Sequence, residues 1–99
     1  LKQIGRLSSF YSVRLYELMS QFIKLKQREC TLAQVREMLD LGEKYPNVKD
    51  LRRWVIDPAL AELNKNTDLA VTAEPRRQGR KIVGFSFTIT KNDQMALQL

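Results

Sequence analysis

Residues 48–64 limit the possible folds more than any other stretch, because a long helical pattern of apolar residues contains a proline. The apolar residues at helical spacing are Val48, Leu51, Val55 and Ala59, with Ile56, Leu60 and Leu63 widening the stripe. Lys49, Arg53 and Asn64 fall on the opposite side. The pattern therefore predicts a central helix that buries one face and turns a basic face outward, as a helix in a nucleic-acid groove does.

Pro58 leaves two interpretations of this helix open. A proline inside a helix lacks the N–H for one hydrogen bond and clashes with the preceding turn, so the helix can bend there. Alternatively, Asp57 can cap a new helix in which Pro58 is the first residue. The apolar pattern continues through Pro58 with little loss of phase, which favours one bent helix that Asn47 caps and that stops within residues 64–67.

A first helix is predicted upstream, over residues 9–25. Its apolar stripe consists of Tyr11, Leu15, Leu18, Met19 and Phe22. Ser8 or Ser9 can cap it, because a serine hydroxyl accepts a hydrogen bond from an otherwise unpaired backbone N–H. The periodicity assigns the aromatic residues of this helix to the core.

A short strand and a second helix are predicted next. Residues 29–31 are able to form a minimal strand. Thr31 and Gln34 have the spacing of a capping box at the start of a short helix that ends near Leu41. Gly42 then stands where a left-handed residue commonly closes a helix.

The C-terminal part predicts a β-hairpin. Residues 69–73 form one strand and residues 81–89 the other, and the alternating apolar residues of the second strand are Val83, Phe85, Phe87 and Ile89. Residues 74–80 are predicted as the hairpin tip, in which Gly79 supplies a positive φ.

The predicted order is helix, short strand, helix, helix, strand, basic hairpin and strand. This order is that of a winged helix, an α+β variant of the helix-turn-helix with three helices and a small antiparallel sheet. The turn over residues 42–47 is longer than is usual in such units. We predict a linker from a missing upstream domain over residues 1–8, the winged-helix domain over residues 9–90, and a C-terminal tail over residues 91–99.

The charge balance indicates a polyanionic partner. In 99 residues, 17 basic side chains exceed 11 acidic ones, which gives a net charge of +6, and there is no histidine to make this charge vary near neutral pH. A domain of this charge favours nucleic acid first, and an acidic membrane surface or protein second. The chain is long enough for one small domain.

Enzymatic chemistry is not expected. Cys30 is the single cysteine, which excludes an internal disulfide and a multi-cysteine zinc site, and without a histidine to activate it we expect a buried, inert thiol. No paired-carboxylate, glycine-loop or metal-ligand pattern stands out, so we predict no cofactor and no metal. No apolar run is long enough to span a membrane, and the start at Leu1 indicates a piece of a longer intracellular protein.

The first candidate DNA-binding group lies at the start of the central helix. The N-terminal residues of a recognition helix reach base edges, and the planar arginine fork donates two hydrogen bonds to guanine. Helical phase places Lys49 and Arg53 on the outer face, whereas Arg52 falls nearer the apolar stripe and is predicted to contact a phosphate or an acidic partner. Asp50 and Asp57 partly balance these charges, so a simple solvated face is the alternative.

The second candidate group is the hairpin. Its basic residues are Arg76, Arg77, Arg80 and Lys81. A basic loop between two strands can touch phosphates or enter a minor groove. The alternative is that charged tips only prevent sheet edges from pairing with other chains.

Two further features precede or lie within the central helix. Lys44, Tyr45 and Asn47 can hold a phosphate near the helix start. Trp54 can be a stacking platform, but a tryptophan in a helix that packs on a hairpin is more often partly buried structure.

Several stretches resemble one known family. Residues 12–18 (SVRLYEL) resemble the "RLYEL" signature of iteron-binding plasmid replication initiators. Tyr45 with residues 49–59 (KDLRRWVIDPA) is similar to that family's "Y…F-K-R-R-V-L-D-P-A" stretch. Residues 62–69 match its "E-I-N…T-D" pattern, and residues 79–85 match its "G-R-K-V…I-x-F" pattern.

The resemblance covers nearly all of residues 9–89 with the spacing kept. Two positions depart from it, because Leu51 stands where an aromatic residue is usual and Trp54 lies near a position that a third basic residue often fills. Initiators of this family carry two winged-helix domains, and the motifs resemble the C-terminal one.

The resemblance implies a function and partners. It implies binding of double-stranded DNA at directly repeated iterons of a plasmid origin, with major-groove contact by the helix that holds Arg52 and Arg53. Family members recruit host replication proteins, and their dimers repress while monomers initiate, which implies a role in copy control. The dimer surface belongs mainly to the upstream winged-helix domain, so this chain is expected to be monomeric, in the bacterial cytoplasm.

Overall fold

The computed structural model describes residues 9–91, and the predicted linker over residues 1–8 and most of the predicted tail lie outside this range. The helices are α1 (Phe10–Gln21), α2 (Leu32–Met38), α3 (Val48–Leu51) and α4 (Asp57–Asn66), with a π-helical turn (Arg52–Ile56) between the last two. The strands are β1 (Gln27–Thr31), β2 (Leu69–Gln78) and β3 (Lys81–Lys91). The predicted element order is confirmed.

Helix α1 begins as expected and ends four residues early. The Ser9 hydroxyl accepts a hydrogen bond from the Tyr11 N–H at 3.2 Å, so Ser9 is the cap. The helix was predicted to reach Leu25, but the chain turns after Gln21, and Lys26 takes a positive φ of 63° immediately before β1. Phe22 still packs against the core, so the apolar periodicity continued past the last helical residue.

Helix α2 has both arms of the predicted capping box, but its predicted end near Leu41 is wrong. The helix stops at Met38, and Asp40 takes the left-handed conformation with φ 54°. The Leu41 N–H donates to the Arg36 carbonyl at 2.9 Å, the hydrogen bond of a Schellman motif. Gly42 does have a positive φ, of 57°, but it lies in the following loop.

Residues 48–66 form one continuous helix, here called the central helix, which confirms the single-helix interpretation of Pro58. Asn47 caps it by accepting a hydrogen bond from the Lys49 N–H at 2.9 Å. The Asp57 N–H donates to the Arg52 carbonyl five residues back, so the helix widens just before Pro58. An α-helical proline would clash with the carbonyl four residues earlier, and the wider turn relieves that clash.

The central helix ends at Asn66, within the predicted stop over residues 64–67, but the predicted direction of Asn64 is not observed. Asn64 is half-buried. The Asn64 amide donates to the Val71 carbonyl at 2.8 Å and accepts from the Val71 N–H at 2.7 Å. This pair of bonds fixes the start of β2 against the helix, so placing Asn64 on the outer face was wrong.

The three strands form an antiparallel sheet in the order β1-β3-β2. Residues 74–78, predicted as part of the hairpin tip, continue β2, so the tip is only Gly79 and Arg80, and Gly79 has a φ of 64°. Ladder pairing extends to Lys91, which therefore belongs to β3 and not to the tail. The end of this hairpin, residues 76–82, is called the wing.

One hydrophobic core joins the helices to one face of the sheet. Its largest fully buried side chains include Leu15, Met19, Leu39, Leu51, Ile56, Leu63, Phe85, Phe87 and Ile89. The opposite face of the sheet, the outer face, carries exposed residues such as Thr72 and Thr88. Three helices against a three-stranded antiparallel sheet with a β2–β3 wing make the fold a winged helix.

We expect Gly84→Ala to destabilise the fold, because Gly84 pairs with Thr31 at the end of β1, where the two backbones lie very close. A Cβ at this position would clash with the Cys30 carbonyl oxygen and lie 3.0 Å from the Thr31 Cα. Backbone cannot move aside as a flexible side chain can, so we expect a loss of ~1–3 kcal/mol or more in the free energy of unfolding. Urea denaturation measures it. Thr88→Ala, on the outer face of the same strand, should change stability by less than ~0.5 kcal/mol; equal effects of the two substitutions would contradict the close approach.

We also expect the Cys30 thiol to be unreactive in the folded chain. Cys30 is buried, and burial raises the pKa of its thiol, although the positive charge and hydrogen bond of Arg28 oppose this. A raised pKa leaves less thiolate, which is the reactive form, at neutral pH. Iodoacetamide should therefore modify Cys30 slowly at pH 7 and rapidly once denaturant unfolds the chain. Modification at the same rate in both states would contradict the burial.

Candidate nucleic-acid interface

A groove of about 520 Å³ lies between the central helix and the wing. It is lined by Lys49, Arg52, Arg53, Asp57, Arg77 and Ile82. Four of these six residues are basic and one is acidic, so the groove is a concentrated positive surface. The helix and the wing thus present their cationic groups to a common space.

The two arginines of the central helix have different environments. Arg52 is half-buried, and its guanidinium carbon lies 5.9 Å from the centroid of the buried Phe85 ring. Arg53 is exposed, and Lys49, one turn earlier, is exposed as well. The prediction that Lys49 and Arg53 face outward while Arg52 lies nearer the apolar stripe is therefore confirmed. Arg52 forms part of the groove wall, and Arg53 and Lys49 remain available at its rim.

The two arginines of strand β2 point to opposite faces of the sheet. Arg77 pairs in register with Ile82, and both line the groove. The Arg76 guanidinium instead lies 3.3 Å from the Glu29 carboxylate on the outer face. An exposed ion pair of this kind contributes little to stability, but it shows where the side chain lies. The structure therefore separates Arg76 from Arg77, which the sequence grouped together.

The remaining basic residues of the wing lie at its tip and at the start of β3. Arg80 and Lys81 are exposed, and the Arg77 guanidinium donates to the Arg80 carbonyl at 3.2 Å. This hydrogen bond ties the side chain of Arg77 to the end of the hairpin. A bulge at Val83, where the pairing shifts between Arg76 and Arg77, increases the local twist of the strands.

The three residues before the central helix do not form one polar cluster. The Asn47 side-chain oxygen is already committed to capping the helix, and Tyr45 is half-buried against the core with a positive φ of 54°. Lys44 is exposed. Of the three, only Lys44 has a charged side chain free to reach a phosphate.

Arg36 is a residue with a positioning role that the sequence did not reveal. Its guanidinium donates to the Lys44 carbonyl and to the Tyr45 carbonyl, both at 2.6 Å. These bonds hold the loop that precedes the central helix and so fix where that helix begins. In the sequence, the only indication of this role is that Arg36 lies in the last turn of a predicted helix, and arginines are too common there to identify one as important.

Trp54 is more exposed than predicted. Its side chain is 58% exposed, because the central helix turns it away from the sheet, and the expectation of a partly buried tryptophan is wrong. The Arg53 guanidinium carbon lies 5.0 Å from the centroid of its ring. Trp54 thus stands beside the groove with one face covered by a groove residue.

Two other kinds of feature are absent from the described part of the chain. Within residues 9–91, no three cysteine, aspartate or glutamate side chains are placed to hold a metal ion. No helix in the same range is long and apolar enough to cross a bilayer.

Comparison with known proteins agrees with this geometry. The model of the family described as "Initiator Rep protein, WH2" matches residues 31–89, which run from the start of α2 nearly to the end of β3. No curated protein sequence matches the chain significantly. The family match includes the central helix, the wing and all six residues that line the groove. The chain belongs to the initiator Rep protein family, whose members are plasmid replication initiators, and it contains the winged-helix domain of that family.

Proposed function

We propose that this domain binds double-stranded DNA at the directly repeated sequences, or iterons, of a plasmid origin, and so acts in replication initiation and copy control. The central helix enters the major groove, and the wing contacts an adjacent sugar–phosphate backbone. The observation that supports this proposal best is the shared groove, in which Lys49, Arg53 and Arg77 converge from the helix and the wing.

The proposed contacts of each basic residue follow from how exposed its side chain is. Arg53 and Lys49 project from the first turns of a helix, where side chains reach base edges, and an exposed arginine fork suits guanine O6 and N7. Arg52 lies over Phe85 and is half-buried, so a phosphate at the groove wall is its more accessible partner. Arg77, Arg80 and Lys81 lie on the wing, where a backbone contact supplies affinity without reading sequence.

Four residues of the predicted site have lesser roles in this proposal. Arg76 faces Glu29 on the outer face, so it contributes to the general positive field more than to direct contact. Lys44 can touch a phosphate next to the start of the central helix, while Tyr45 and Asn47 serve the loop and the cap. The proposed function is binding and not catalysis.

Further partners follow from the family. We propose that an upstream winged-helix domain of the same protein and host replication proteins complete the initiation complex. Because that upstream domain is expected to hold the dimer surface, the present chain should be monomeric.

A protein-binding winged helix is the second candidate function, and the exposure of Trp54 favours it. Its exposed helical neighbours, however, include Asp50, Arg53 and Asp57, so the tryptophan does not lie in a broad apolar patch of the described surface. Weak DNA binding at moderate salt, with no preference among sequences, would favour this second function.

We expect Arg53→Ala to reduce specific binding. Removing one arginine that donates to a base should cost about 1–3 kcal/mol and relax the preference at a single base pair. Fluorescence anisotropy with duplexes selected from a randomised library by the wild-type chain measures both effects. Lys65→Ala, an exposed change in α4 outside the groove, is the matched control. Equal losses for both substitutions, or an unchanged base preference in Arg53→Ala, would contradict the assignment.

We expect Arg77→Ala and Arg76→Ala to differ, although the two residues are neighbours. Loss of a phosphate contact at Arg77 should weaken all duplexes alike and lower the slope of log K against log salt by roughly 0.9. Arg76→Ala should leave that slope nearly unchanged, because Arg76 lies on the outer face. A salt series of binding constants measures the slopes. A larger slope change for Arg76 than for Arg77 would show that the wing binds DNA through its other face.

A further inference from the structure

We infer that Trp54 is a positioning residue that sets the base preference of the central helix by holding the Arg53 guanidinium against its ring. This inference rests on the proposed function, because it concerns how Arg53 reads a base. It assigns a role to the large exposed aromatic side chain that the fold itself does not explain.

The first observation is the contact between the two side chains. The Arg53 guanidinium carbon lies 5.0 Å from the centroid of the Trp54 ring, within the range of a cation–π interaction. Within residues 9–91, Arg53 forms no ion pair, although Asp57 lines the same groove. The ring is thus the defined partner of a guanidinium that would otherwise sample many rotamers.

The backbone geometry of the central helix also brings these two side chains together. Arg53 and Trp54 are neighbours in the π-helical turn, where the hydrogen bonds span five residues instead of four. A wider turn reduces the angle between successive side chains around the helix axis. Adjacent residues in an α-helix point well apart, so this local geometry favours the contact.

The third observation is that Trp54 is not needed for the core. Its side chain is 58% exposed and is not part of the hydrophobic core, to which the central helix contributes Leu51, Val55 and Ala59. Trp54 is also absent from the partly buried residues that pack against the core. Because Trp54 contacts Arg53, the effect of the ring that we infer is to orient the arginine side chain.

An oriented arginine reads a base better than a free one. Two hydrogen bonds to guanine require the guanidinium to lie in the plane of the base, and fixing the fork in advance lowers the conformational entropy lost on binding. A cation–π contact at an exposed site corresponds to about a two- to fivefold effect on an equilibrium constant. The loss expected on removing the ring is therefore modest and confined to the base that Arg53 contacts.

The contact can be tested first without DNA. Trp54 is the single tryptophan, so its fluorescence reports on it alone. Arg53→Ala should expose the covered face of the ring and increase quenching by acrylamide, whereas Lys65→Ala should not. Equal quenching in all three proteins would overturn the inference.

The decisive experiment measures discrimination between two duplexes. One is the duplex selected from a randomised library by the wild-type chain, and the other has the single base pair changed at which Arg53→Ala loses its preference. Trp54→Leu should lower the affinity ratio about two- to fivefold, while Trp54→Phe, which keeps an aromatic face, should retain most of it. In the Arg53→Ala background, Trp54→Leu should have no further effect on the ratio.

The outcomes separate this inference from the proposed function. If the wild-type chain discriminates but Trp54→Leu keeps the full ratio, only the positioning role of Trp54 is wrong. If Trp54→Leu weakens both duplexes alike, or lowers the salt slope, Trp54 acts through general contact and the inference is also wrong. If the wild-type chain shows no preference for any duplex, the proposed function fails and the inference fails with it.

Discussion

The alternation of side chains along β2 and β3 is the constraint on which the groove depends. Successive residues of a strand point to opposite faces, so the face that holds Val71 in the core continues along β2 to Arg77. On β3 the bulge at Val83 shifts this alternation by one residue and brings Ile82, the register partner of Arg77, to the same face as Phe85. Strands β2 and β3 extend beyond the hydrophobic core, and there the residues on their inner face include the basic Arg77. Because the central helix packs on that same face, its Arg53 meets the wing across a common space.

The fold was largely predictable from sequence because its strongest signals are local. The capping box at Thr31 and Gln34, the cap at Asn47 and the alternation in β3 each depend on residues only a few positions apart. The outward direction of Arg53 followed from helical phase alone. These local signals, placed in order, were enough to identify the winged helix and the basic helix face.

The remaining features depend on contacts between residues distant in sequence or on small shifts of the backbone. The separation of Arg76 from Arg77 requires the strand to continue through the predicted tip, and Glu29 on β1 reveals it. Helical phase alone predicts an outward Asn64, because the partner of this residue, Val71, lies in another element. The π-helical turn is a response to Pro58 that periodicity does not distinguish from a bend.

An NMR titration with duplex DNA tests most directly whether this groove is the binding surface. With the duplex selected by the chain itself, we expect the largest amide shift changes at Lys49, Arg53 and Arg77. Thr72 and Thr88, which pair on the outer face, should change little. Largest changes at the two threonines, or a uniform small change over the whole domain, would contradict binding through the groove.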